Sequence, residues 1–182
     1  MLFRSEMDGF AVLDELRTRE STRDIPVIIL TARLLSDADL ERCNHGVASI
    51  LGKGLFSAEE TLVHIEAALE RRNALGGATR QLVRRAMAFI HTQFAESISR
   101  EEIAAHIGIS PDYLTDCFRQ ELGITPITYI RRYRIRQACA LLRNTDQSIT
   151  QVAMNIGFTD SAHFTRTFLR EMGVTPKAYR RK

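Results

Sequence analysis

The sequence is poor in the features that mark secreted, membrane-spanning and catalytic chains. Only three cysteines occur in 182 residues: Cys43, Cys117 and Cys139. Their odd number and wide spacing do not make a disulfide framework and fit a reducing cytoplasm. No apolar run approaches the roughly 20 residues a membrane helix needs. The opening residues 1–6 lack the basic patch and apolar stretch of a secretory leader. The expected location is therefore the cytoplasm, with no membrane partner. There is no glycine-rich phosphate loop and no nucleophile elbow, and Cys43-Asn44-His45 is too short a cluster for a zinc site. The expectation is a chain that works by binding, with no catalytic residue, metal or cofactor.

What is present is charge, unevenly placed. Residues 1–77 hold 9 Lys/Arg against 13 Asp/Glu, a balance of −4, and residues 78–182 hold 16 against 9, a balance of +7. An acidic half joined to a basic half predicts two units with different work, and the basic half has the electrostatic footprint of a nucleic-acid binder. Gly76 and Gly77 end a helical pattern and suggest a flexible joint. The expected division is 1–72, a linker at 73–79, and 80–182.

The acidic half alternates helical and strand patterns. A helical spacing covers 10–19, and a β-branched apolar run at 25–30 reads as a buried parallel strand. A short helix is expected over 37–44 and a second strand over 47–52. Ser57 is placed to cap a helix reaching about residue 72, with Glu59 and Glu60 at its positive end. This is a fragment of an α/β layer.

The basic half reads as all helix and contains a repeat. Ala104 and Gly108 match Ala153 and Gly157 at an offset of 49; Phe118, Gly123, Pro126 and Tyr129 match Phe168, Gly173, Pro176 and Tyr179 at an offset of 50. The second copy thus has one extra residue in the turn after its glycine. A helix-turn-helix needs a small residue between its helices, here Gly108 and Gly157, and apolar pins on both. Ile103, Ile107, Leu114 and Phe118 serve in one copy; Val152, Ile156, Phe164 and Phe168 serve in the other. For a single copy, a plain bundle with glycine caps explains the pattern equally well. Two copies joined by a helix of roughly 27 Å, at ~1.5 Å per residue, favour two reading helices in grooves ~34 Å apart.

The motifs Val152-Ala153, Ile156-Gly157-Phe158, the run from His163 to Phe168, Gly173, Thr175-Pro176 and Tyr179-Arg180 carry a family likeness. Residues 80–182 resemble the DNA-binding domain of the AraC/XylS family of bacterial transcription regulators. The resemblance implies seven helices in two subdomains, with recognition helices at Pro111–Leu122 and Ser161–Met172. It assigns base reading to Asp112, Tyr113, Thr115 and Asp116 in the first, and to Ser161, Ala162, His163, Thr165 and Arg166 in the second. Arg166 can grip guanine bidentately, with a phosphate contact as its alternative. His163 serves a base or phosphate, or packs on the surface. Asp112 and Asp116 accept from cytosine or repel phosphate, and Asp112 also suits a helix N-terminus. Phosphate contacts are expected from Arg119, Arg131, Arg132, Arg134, Arg170, Arg180 and Arg181. The expected partner is double-stranded promoter DNA, with RNA polymerase and a second copy of the chain as further partners. The four-cysteine zinc module of related repair proteins is missing, as is a jelly-roll segment, so no small-molecule effector is expected.

Met7-Asp8-Gly9-Phe10, the run from Ile25 to Ala32 and the run from Gly46 to Gly54 carry a second likeness. Residues 6–70 resemble the CheY-like receiver of two-component response regulators. That resemblance implies a switch threonine at Thr31 and a basic residue beside a phosphoryl group at Lys53. Met1 falls where the phosphoacceptor would sit, no acidic pair precedes it, and Gly54 replaces a usual proline. Thr31 and Lys53 are then remnants, the chain is a fragment of a longer response regulator, and the strand at 27–30 exposes an apolar edge that invites association. The fold expected overall is mainly α: a double helix-turn-helix domain preceded by a partial, flavodoxin-like α/β fragment. The alternative function is a protein-interaction or dimerisation module with weak DNA binding.

Overall fold

The computed structural model describes residues 9–22, 25, 27–31, 39, 42–43, 47–52, 54–70 and 77–181. The chain divides into two compact units, Met1–Gln81 and Leu82–Lys182. Lys53, Met7 and Asp8 lie outside the described residues, as does most of the helix expected over 37–44.

In the first unit, α1 (Gly9–Thr18) presents Phe10 and Leu13 to the core, three residues apart on one face. Strands β1 (Val27–Thr31) and β2 (Val47–Gly52) pair in parallel, with Ile29 opposite Ile50 and Leu30 opposite Leu51. The two strands differ in burial. Val47, Ile50 and Leu51 of β2 are buried, whereas β1 is only half-buried and Leu30 is 52% exposed. This corrects the expectation of a buried β1. Its one neighbour among the described residues is β2, so its other edge carries no strand there. Arg42 lies over the Phe10 ring at 4.6 Å and pairs with Asp14 at 2.7 Å. Helix α2 (Ala58–Glu70) starts as expected, in a reciprocal cap: Ser57 N donates to Glu60 Oε2 at 2.8 Å and Glu60 N to Ser57 Oγ at 3.1 Å. Thr31 closes β1 and is half-buried.

The second unit contains α4 (Arg100–Ile107), α5 (Pro111–Leu122), α6 (Pro126–Asn144), α7 (Ile149–Asn155), α8 (Ser161–Met172) and α9 (Pro176–Arg180), preceded by α3 (Gly77–Gln93). Gly77 opens α3, and the boundary between the units, after Gln81, falls within that helix. Local chemistry places nearly every boundary that follows. Ser99 and Glu102 form a capping box at α4, and Ser148 and Gln151 form one at α7. Ser110, Thr125 and Thr175 each cap a helix whose first residue is proline, a ring already set to a helical φ. Gly108, Gly123 and Gly173 end helices in the left-handed region.

Helix α6 spans two apolar lobes. Its N-terminal half buries Tyr129 and Tyr133. Tyr129 meets Phe118 edge-on, with ring centres 5.8 Å apart, and Tyr133 stacks on His91 of α3 at 4.3 Å. Phe89 of α3 stacks on His106 of α4 at 4.2 Å, which ties those helices together. The C-terminal half of α6 packs Ile135, Ala138 and Leu142 against Val152 and Ala153 of α7, Ile156 just after it, and Phe164 and Phe168 of α8. Each fully buried side chain of this size stabilises the fold by about 1.5–3 kcal/mol. Cys117 is buried and Cys139 half-buried.

The glycines that join the paired helices are not equivalent. A Cβ on Gly108 (φ 80°) would meet nothing within 4 Å. A Cβ on Gly157 (φ 82°) would lie 2.7 Å from the carbonyl of Ala95, 2.8 Å from that of Phe94 and 2.9 Å from Arg134 Nη2. Gly108→Ala is therefore expected to cost about 1–2 kcal/mol for its left-handed backbone. Gly157→Ala should cost roughly 1–3 kcal/mol more, because backbone must move to relieve the clash. Urea denaturation of both variants checks the order, and equal losses would refute it.

His91 supplies a second test. Its Nε2 lies 2.9 Å from Tyr129 Oη. Burial, together with the nearby Arg136 charge, pushes its pKa down from 6.5 to about 4. The native state holds the ring neutral while the unfolded chain takes up a proton below pH 6.5. The stability from the neutral ring is thus fully present above that pH and is lost as pH falls toward 4. The expected loss is about 3 kcal/mol across this window. A His91→Phe variant should show a shallower dependence of unfolding free energy on pH over the same range.

Candidate nucleic-acid interface

The two paired-helix motifs present one helix each to solvent in the same way. On α5 the exposed residues are Asp112, Tyr113, Asp116, Arg119 and Gln120, and on α8 they are Ala162, His163, Arg166, Leu169, Arg170 and Met172. The first five of each correspond at an offset of 50, and the sets part at the last turn, where Met172 is exposed and its counterpart Leu122 is buried. Facing inward at equivalent places are Leu114, Cys117 and Phe118 on α5, and Phe164, Thr167 and Phe168 on α8. Burial of one stripe at helical spacing leaves the opposite stripe facing outward. The outward stripe is where a duplex can be met.

Six of the nine expected base-reading side chains lie on these stripes: Asp112, Tyr113, Asp116, Ala162, His163 and Arg166. The other three are set back. Thr115 and Thr165 are half-buried, and their hydroxyls donate to the carbonyls of Pro111 at 3.0 Å and Ser161 at 2.8 Å. Ser161 opens α8 and is also half-buried. Gln120 and Leu169 belong to the exposed stripes and were not among the expected residues. Pairing each copy at the offset of 50 out to the helix ends would have found both.

The N-termini of the reading helices are built differently. Ser110 Oγ accepts one bond at α5, from Tyr113 N at 3.2 Å. Asp160 accepts two at α8, from Ala162 N at 2.9 Å and His163 N at 3.0 Å. Those two bonds hold its carboxyl below the usual range. The His163 ring meets the Phe158 ring edge-on at 5.4 Å. The residue is exposed. Asp112, 90% exposed at its side chain, accepts from Arg100 Nη1 at 3.0 Å. The acidic group is thus partnered across the motif, from the first residue of α4 to the first turn of α5. Asp116 occupies the place that Arg166 fills in the second copy, and both are exposed.

The structure sorts the arginines expected at phosphates. Arg119 and Arg170 lie on the outward stripes, and Arg181 is exposed beyond α9. Arg134 faces inward: its Nε donates to the Phe94 carbonyl at 2.8 Å and its Nη2 to the Glu96 carbonyl at 2.7 Å, and burial lowers its pKa. Arg180 donates to the Gln147 carbonyl. Arg131 donates to Glu171 of α8 at 2.9 Å, and Arg132 Nε lies 3.7 Å from the same carboxylate. These four are engaged by groups of the chain itself. Composition marks arginine-rich helices but carries no information on which arginines find an acceptor within the fold.

Comparison with known proteins agrees with this geometry. The helix-turn-helix domain family matches residues 103–182. The HTH-type transcriptional activator RhaS of Enterobacter sp. (strain 638) is 35% identical over 128 residues, 69% of this chain and 46% of that protein. The chain thus spans about half the length of this curated relative. Among solved structures, the C-terminal domain of AraT, a response regulator from Geobacillus stearothermophilus, is 35% identical with a TM-score of 0.54, covering 55% of this chain and 84% of that one. A transcriptional regulator with an AraC-type DNA-binding domain from Chromobacterium violaceum is 29% identical with a TM-score of 0.55, covering 57% and 93%. Residues 103–182 thus form a helix-turn-helix DNA-binding domain of the AraC type.

Proposed function

We propose that the C-terminal unit recognises promoter DNA by placing α5 and α8 in successive major grooves on one side of the duplex. The observation that carries this reading is the correspondence of five exposed positions on α5 with five on α8, at one offset, in motifs joined by one continuous α6 of 19 residues. Arg166 is the principal base reader, through a bidentate contact with guanine. Tyr113, Asp116, His163 and Ala162 tune the choice of bases. Arg119, Arg170 and Arg181 meet phosphates, which position without specifying. The mechanism is binding alone.

The N-terminal unit is proposed to derive from a receiver, dividing from the DNA-binding part at residues 73–79 and passing input to it. The parallel β1–β2 pair with Thr31 at the end of β1 supports this, as does the likeness to a response regulator's C-terminal domain. In this reading Thr31 and Lys53 are remnants of a phosphoryl site, and RNA polymerase and a second copy are the macromolecular partners besides DNA. A second reading, a dimerisation module that binds DNA weakly, draws on the exposed Leu30, Leu62 and Val63. A gel-shift assay against random duplex at two salt concentrations separates them.

Selection of bound sites from random DNA should return two half-sites about one helical turn apart. On a selected duplex Arg166→Ala should lose about 1–3 kcal/mol of affinity and relax preference at one guanine. Unchanged affinity and preference would remove Arg166 from its role. Affinity of the unaltered chain should also fall steeply with salt, by ~10³ between roughly 50 and 200 mM if six or more phosphates are neutralised.

A further inference from the structure

Glu171 lies near the end of α8, and three guanidinium groups converge on it. Arg131 Nε donates to Oε1 at 2.9 Å, Arg132 Nε lies 3.7 Å from Oε2, and Arg170 Nε lies 3.9 Å from Oε1. The Glu171 side chain is only 17% exposed, and those of Arg131 and Arg132 are 33% and 21% exposed. Two of the three arginines come from α6, so the cluster joins the linking helix to the second reading helix.

Partly buried ion pairs add little net stability, since desolvation offsets their attraction. What they add is direction. The apolar contact between α6 and α8, Ile135, Ala138 and Leu142 against Phe164 and Phe168, holds the helices close. Apolar burial is non-directional and does not by itself specify a crossing angle. A carboxylate gripped by guanidinium groups from a neighbouring helix has a preferred geometry. At the other end, α6 follows α5 after only Gly123, Ile124 and Thr125, with Thr125 capping α6. The direction of α6 is therefore also that of its junction with α5. A constraint between α6 and α8 becomes a constraint between the two reading helices. At the equivalent place on α5 the chain carries Glu121, which is buried.

We propose that Glu171, acting through Arg131 and Arg132, is a positioning residue that sets the spacing and angle between α5 and α8, and hence the half-site spacing the protein accepts. This rests on the reading of α5 and α8 as two DNA-reading helices. Two linked sites gain avidity only when geometry lets both engage at once, so rigidity between them becomes selectivity for spacing.

The test uses the full chain, a duplex selected from random DNA, and two versions with about 2 and 3 base pairs added between the half-sites, against a helical repeat of ~10.5. Insertion should weaken binding of the unaltered chain by about tenfold or more. Glu171→Gln should bind the selected duplex more weakly and shrink the insertion penalty to about threefold or less. A role in stability alone would lower affinity by the same factor on all three duplexes; an undiminished penalty in Glu171→Gln overturns the proposal. Thermal unfolding followed by circular dichroism checks that the variant is folded. If it is not, Arg131→Lys, which keeps the charge and loses the planar fork, reads the same ratio, and an unchanged penalty there is equally fatal. Failure of the unaltered chain to select any duplex with two half-sites overturns the underlying reading instead, and this inference with it.

Discussion

A half-buried guanidinium must find acceptors, and Arg134 finds them in the carbonyls of Phe94 and Glu96 where the chain leaves α3. The same group lies 5.9 Å from the Phe158 ring centre, in the turn between α7 and α8, and touches the place where a Cβ on Gly157 would stand. One side chain of α6 thus meets the segment just after α3 and the turn of the second motif. The carbonyls of Ala95 and Phe94, together with Arg134, leave no room for a Cβ at 157, and the bonds of Arg134 tie α6, which lies between the two motifs, to that segment. The buried aromatic stack of His91, Tyr129 and Tyr133 holds the other end of α6 against α3.

The two motifs are related in pattern and different in physics. The first turns on a glycine with open space around it and carries an acidic outward face, one carboxylate of which is held by Arg100. The second turns on a glycine hemmed in by backbone, begins its reading helix with a doubly bonded Asp160, and is tied to α6 through Glu171. The second motif is thus the more tightly held, and it places a guanidinium where the first places Asp116. In the proposed reading it dominates base choice while the first positions and tunes.

Much of the C-terminal unit was legible in sequence, for a local reason. Its turns depend on a residue able to take positive φ, which Gly108 announces in the sequence, and its helix starts on a hydroxyl or carboxylate beside a free N–H, which Ser99, Ser110, Thr125, Ser148 and Asp160 supply in the structure. The apolar pins Leu114, Phe118, Phe164 and Phe168 marked the inward faces, and the family resemblance, not the period, named Asp112, Tyr113, His163 and Arg166, which are exposed. The N-terminal unit was less legible. An apolar β-branched run signals a strand, but whether its faces and edges are covered depends on its neighbours, and β1 is only half-buried.

The sequence by itself determined the charge asymmetry between the halves, the repeat, the helical character of the C-terminal unit and which residues pin α5 and α8 inward. All of these rest on interactions within a few residues or on simple periodicity. Only the tertiary structure decided which arginines remain at the surface, because Arg119 and Arg134 are the same residue type and differ solely in the carbonyls within reach. It also decided that Gly157 is sterically required while Gly108 is only conformationally favoured, that Asp112 has a cationic partner twelve residues away, and that Glu171 joins two helices. Each of those depends on atoms brought together from distant parts of the chain, and a linear pattern holds no record of that meeting.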